Sequence, residues 1–70
     1  MSARQSDWPQ RITIDPRICS GRPTIRGLRI TVQAVLEFLA AGETAHEILH
    51  AYPSLEMEDI LACISVAVKI

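Results

Sequence analysis

Cysteine, glycine and lysine are scarce in this chain, and long apolar runs are missing from it. The two cysteines, Cys19 and Cys63, do not form a C-x-x-C pair. They are too few for the disulfide framework of a small secreted domain, so both read as small, buried or half-buried thiols. Two of the three glycines, Gly21 and Gly27, bracket most of the basic run GRPTIRGLRI at Gly21 to Ile30. A phosphate loop of the form G-x-x-x-x-G-K-[ST] needs them one residue closer, and Leu28 stands where its lysine belongs. No apolar stretch approaches the roughly 18 residues of a membrane span. The opening MSARQSDWPQ holds no apolar leader segment. A cytoplasmic location without membrane contact is therefore expected.

What is present is a globular balance, 49% hydrophobic and 21% charged, well away from the disordered class. A chain of 70 residues buries only about 60% of the surface it exposes when unfolded, so its core is marginal alone. The net charge of −1 hides an uneven distribution. Residues 1–31 carry six arginines against Asp7 and Asp15, a net +4, and residues 32–70 carry Lys69 against five glutamates and Asp59, a net −5. A basic arm on an acidic body points to an anionic partner or a head-to-tail contact between chains.

Residues 1–10 read as a loose tail with Trp8 as its docking point, and residues 11–70 as one domain. The alternation Arg11-Ile12-Thr13-Ile14, ended by Asp15-Pro16, predicts a short strand. Within the β segment 11–30, Gly27-Leu28 fits the loop of a type II′ hairpin, which sets Ile25 opposite Ile30 and Arg26 opposite Arg29. Thr31 caps a helix over about 32–41 whose Val32, Val35, Leu36 and Leu39 form one stripe ending at Gly42. Thr44 and Glu47 make a capping box for a helix over 45–51 with Ala45, Ile48, Leu49 and Tyr52 inward, and Pro53 stops it.

A third helix over about 56–69 carries two apolar stripes. Met57, Ile60, Leu61, Ile64, Ala67 and Val68 read as the inward one. Cys63, Val66 and Ile70 read as the second, and with Phe38, which lies off the first helix's stripe, they are the candidate oligomer interface. A helix apolar nearly all round has more to bury than one 70-residue monomer can cover, so a homodimer or higher homo-oligomer is expected.

One pattern suggests chemistry and two suggest binding. His46-Glu47-Ile48-Leu49-His50 reads H-E-x-x-H, the zinc motif of metalloproteases. Both histidines fall opposite the Ile48 and Leu49 face, however, and Glu47 already serves the capping box, so a solvated face with at most adventitious metal binding is expected. Helix, turn, helix over the last two helices is compatible with a DNA reader, but Glu56-Met57-Glu58-Asp59 opens the helix that would enter the groove. Carboxylates there repel phosphate and suit the helix dipole instead. The arginine set Arg17, Arg22, Arg26 and Arg29 is suited to bidentate grip on phosphate or carboxylate and is the candidate partner- or nucleic-acid-binding site.

The ordered series Arg11 to Pro16, Gly21-x-Pro23-x-Ile25-Arg26-Gly27-x-Arg29-Ile30, Leu39 to Gly42, Glu47-Ile48, Tyr52-Pro53-x-Leu55 and Glu58-Asp59-Ile60 resembles the DUF433 family over about residues 8–68. The resemblance implies a mostly α fold, a three-helix homeodomain-like or winged-helix-like core of helix-turn-helix type after a short N-terminal β-hairpin. It also implies an antitoxin of the VapBC type, encoded beside a PIN-like RNase toxin whose active site is acidic and metal-dependent. The chain departs from the pattern at Leu28, where the family usually has Thr, and at Glu56, where it usually has a Ser or Thr cap, a role Ser54 could take. Many antitoxins of this type wrap their toxin with a C-terminal extension, so at Ile70 the contact is expected to fall to the basic arm or the Phe38 face. The expectation is a non-enzymatic module without cofactor or metal that neutralises the toxin, its arginines engaging either the carboxylate cluster of the RNase or the phosphates of operator DNA, with a helix-turn-helix regulator lacking a toxin partner as the alternative. A third possibility is a self-assembling structural module.

Overall fold

The computed structural model describes residues 9–68. The proposed tail therefore lies outside the described residues up to and including Trp8, as do Lys69 and Ile70, while Pro9–Arg11 form a 3₁₀ turn. Strand β1 (Ile12–Thr13) pairs antiparallel with β2 (Thr24–Ile25), Ile12 opposite Ile25 and Thr13 opposite Thr24. Three helices follow, α1 (Val32–Ala40), α2 (Ala45–Ala51) and α3 (Met57–Val68). The mostly α class with a short N-terminal β element is thus what the chain adopts, and α1 packs on both α2 and α3.

The helix boundaries are set by local chemistry. Thr31 Oγ1 accepts from the Ala34 N–H at 3.0 Å and opens α1. Its close is a Schellman arrangement, in which Glu43 N–H donates to the Phe38 carbonyl and Gly42 N–H to that of Leu39, with Gly42 at φ +98°. Helix α2 has both halves of its capping box, Glu47 N–H to Thr44 Oγ1 at 3.1 Å and Thr44 N–H to Glu47 Oε1 at 2.8 Å. Each of these bonds spans five residues or fewer, which is why the sequence pattern locates them.

The core is Ile25, Val32, Val35, Ile48, Leu55, Ile60 and Cys63. Here α3 departs from expectation. Asp59, Ile60, Ala62 and Cys63 are buried, while Met57, Ile64 and Val68 are 43%, 39% and 79% exposed. Of the two apolar stripes, the expected inward one keeps Ile60 buried but turns Met57, Ile64 and Val68 outward, and the second brings Cys63 into the core. The similar hydrophobicity of the two stripes leaves the rotation of the helix to be decided by something else, and Asp59 decides it.

Candidate functional site

The turn after β2 carries the first part of the answer. Leu28 N–H donates to the Ile25 carbonyl at 2.8 Å around Arg26 and Gly27, which have φ of +48° and +73°. Two positive φ values at the central positions make this a primed turn on Arg26-Gly27, one residue earlier than the predicted Gly27-Leu28 loop. The outer register holds, since Ile25 N–H still donates to the Ile30 carbonyl at 3.1 Å. A left-handed conformation costs a residue with a side chain about 1–2 kcal/mol. Arg26 adopts it because its guanidinium then reaches Asp59.

Asp59 is fully buried and lies in the first turn of α3, so its carboxylate would be costly if unpaired. It is instead saturated. Arg26 Nε donates to Oδ1 at 3.0 Å, and Arg26 Nη2 to Oδ2 at 2.9 Å, a bidentate fork. Arg11 Nη1 donates to Oδ1 at 2.9 Å, and the Glu56 N–H to Oδ2 at 2.8 Å. The last bond is one half of a capping box, in which the carboxylate at the third helical position accepts from the backbone N–H of Glu56; a serine or threonine in place of Glu56 would supply the other half. Arg11 Nη1 also reaches Glu56 Oε1 at 2.8 Å, and Arg26 Nη2 donates to the Ser54 carbonyl at 2.7 Å. Burial pushes the Asp59 carboxyl up, but the Arg26 guanidinium, the Glu56 N–H and the Arg11 guanidinium outweigh it and hold the group below the usual carboxylate range.

This clamp redistributes the predicted arginine site. Arg26 does not stand beside Arg29 on an outer face; the acidic group it meets belongs to its own chain. Arg17 is exposed and chelated by Asp15, Nε to Oδ1 and Nη2 to Oδ2, both at 3.0 Å. That contact draws the Asp15 carboxyl below its ordinary range. Arg22 is exposed and donates through Nε to the Cys19 carbonyl at 3.3 Å. Arg29 is exposed and forms no ion pair among the described residues. The four arginines are therefore not one surface.

The predicted oligomer residues are also separated. Cys63 is fully buried in the chain's own core, which removes it from any interface and pushes its thiol up to about 11, by burial first and by the Asp59 charge second. Phe38 is half-buried and stacks on Tyr52 with ring centroids 5.8 Å apart, joining α1 to the end of α2. Val66 lines an open apolar groove of about 300 Å³ with Val32, Leu36, Pro23 and Ala67, and Arg22 borders it. Ile70 lies outside the described residues. His46 and His50 are exposed on α2. Among the described residues no group of three or more His, Cys, Asp or Glu is placed to share a metal ion, and no helix is long and apolar enough to cross a membrane.

Sequence reasoning missed the roles of Arg11 and Asp59. The one signal available was an acidic residue three positions after Glu56, the residue that precedes α3, which fits a carboxylate reaching back to a capping position. Nothing local says that its other partners lie 33 and 48 residues away.

Comparison with known proteins agrees with the motif series. The family model described as protein of unknown function (DUF433) matches residues 12–67, and the chain belongs to that family. It is also similar to the uncharacterized protein y4eO of Sinorhizobium fredii (strain NBRC 101917 / NGR234), 41% identical over 49 residues. That match covers 70% of this chain and 22% of the relative, so the chain corresponds to a minor part of the relative's length. No solved structure matches significantly.

Proposed function

We propose that this DUF433 protein is a non-enzymatic binding module of antitoxin type, which neutralises a PIN-like RNase toxin in the cytoplasm and acts as a homodimer or higher homo-oligomer. The observation that carries the proposal is the fate of the charges around α3. Asp59 takes up Arg11 and Arg26 inside the chain, while Glu56, which shares Arg11, and Glu58 stay exposed where α3 begins. An α3 inserted in a major groove would bring those carboxylates against phosphates, which disfavours reading DNA with this helix. A protein partner is the better fit to such a surface. Arg29, exposed and uncommitted among the described residues, is the guanidinium suited to the carboxylate rim of a metal-dependent RNase, and Arg17 adds a contact already half neutralised by Asp15. The order short helix, turn, longer helix keeps the operator-binding regulator as the second reading.

The test is co-expression with a PIN-like RNase encoded beside the gene. The wild-type chain should restore growth and co-purify with the RNase, and Arg29→Ala should weaken both while leaving the circular dichroism spectrum intact. Rescue that ignores Arg29, together with duplex binding that falls steeply with salt, would replace the toxin-binding proposal by the regulator.

A further inference from the structure

The stripe that α3 turns outward is Met57, Leu61, Ile64 and Val68, at successive steps of four, three and four residues. That alternation is the a/d spacing of a seam between two helices, about three turns long. Leu61 is half-buried, and Met57, Ile64 and Val68 are the apolar residues most exposed on the helix. Asp59 is locked inward by Arg26 and Arg11, so α3 cannot roll to bury this stripe in its own core.

We infer that the outward stripe of α3 is the homodimer seam, packed antiparallel on the same stripe of a second copy. This deepens the self-association proposed above, on which it rests, by assigning its surface. An isologous contact needs one patch that complements itself, and the stripe does so about its midpoint: Met57 meets Val68, and Leu61 meets Ile64. Charge selects the direction. A parallel pair would set Glu58 beside Glu58 and align the helix dipoles, whereas an antiparallel pair opposes the dipoles. It also sets the two Glu58 side chains at opposite ends of the seam, away from each other. A seam of three turns is short of a standard protein interface, so association is concentration-dependent and not permanent.

Sedimentation velocity on the intact chain over a wide concentration series tests this. The wild type should pass from monomer to dimer. Ile64→Glu and Val68→Glu should each raise the dissociation constant by on the order of a hundredfold, since a carboxylate would have to be desolvated in the seam, with an unchanged circular dichroism spectrum. In a Cys19→Ser background, Met57→Cys with Val68→Cys should cross-link two chains on oxidation, and Val68→Cys alone should not. A dimer that survives both glutamates would overturn the seam while leaving self-association standing, and cross-linking by Val68→Cys alone would overturn the antiparallel geometry. A wild type monomeric at every concentration would overturn the seam and the self-association together, even if the stripe proved to bind the RNase. Lost toxin neutralisation with an intact dimer would count against the antitoxin proposal alone.

Discussion

Replacing Asp59 by alanine should cost this protein a large part of its stability. The carboxylate is fully buried and accepts from two guanidiniums and the Glu56 N–H at 2.8–3.0 Å. Breaking a buried ion pair by removing one partner costs about 3–5 kcal/mol when the survivor stays dry. Here the survivors are not dry, because the side chains of Arg11 and Arg26 are 27% and 36% exposed and recover water. The expected loss is therefore about 2–3 kcal/mol, against a total of roughly 4–10 kcal/mol for a domain of this length. Urea unfolding followed by circular dichroism measures it, and the melting point should fall by roughly 10–20 °C. A change under about 0.5 kcal/mol, the range of ordinary surface substitutions, would refute the clamp. The pH dependence gives an independent check. A carboxyl held below its ordinary range stabilises the fold above its unfolded pKa, about 3.9, and loses that contribution as pH falls through the folded value. Asp59→Asn removes this component while Asp15 keeps its own. The difference in stability between wild type and Asp59→Asn should be flat above about pH 5 and shrink below about pH 4; a difference that grew on acidification would contradict the assignment.

Arg26→Ala and Arg29→Ala should differ sharply although they sit in one turn: the first should lower the melting point clearly, and the second should stay within about 0.5 kcal/mol of wild type by urea titration. Arg26→Gly separates backbone from side chain, and because the lost fork outweighs the relieved φ, it too should melt below wild type. Against a thiol reagent such as Ellman's, half-buried Cys19 should react in the native protein and Cys63 only after denaturation, since Cys63 is buried and its thiol is pushed up to about 11. Gly42→Ala should destabilise by about 1 kcal/mol or more, because φ of +98° at the close of α1 is strained for any residue with a Cβ, although the space around it is open.

What was legible in the sequence follows the range of the interactions. Thr31, Thr44 with Glu47, and Gly42 announce helix ends because each acts on a backbone group a few residues away. The inward face of α2 was legible too, since Ile48 is buried with Ala45, Leu49 and Tyr52 half-buried around it. The turn at Arg26-Gly27 was misplaced by one residue because local preference disfavours arginine at positive φ, and a contact 33 residues away overrides it. The same contact took Arg26 out of the predicted binding site. Phe38 looked free because it lies off the α1 stripe, yet Tyr52 covers it from the end of α2.

The rotation of α3, which keeps Ile60 inward but replaces Met57, Ile64 and Val68 there by Cys63, shows why a buried charge can decide a packing that hydrophobicity leaves open. One face offers Met57, Leu61, Ile64 and Val68, the other Ile60, Ala62, Cys63 and Val66. Both are apolar, so at about 25 cal/mol per Å² the choice between them changes the burial term little. The ionic term is not close to balanced. With Cys63 inward, Asp59 meets Arg26, Arg11 and the Glu56 N–H together; with Ile64 and Val68 inward, the carboxylate turns to solvent and both guanidiniums lose it. Only one rotation satisfies the triad, and that rotation exposes the seam. The clamp that holds the basic turn against the acidic helix is thus also what gives the helix an apolar outer face, and in the proposed dimer the internal charge pairing of each copy sets the surface on which the two copies meet.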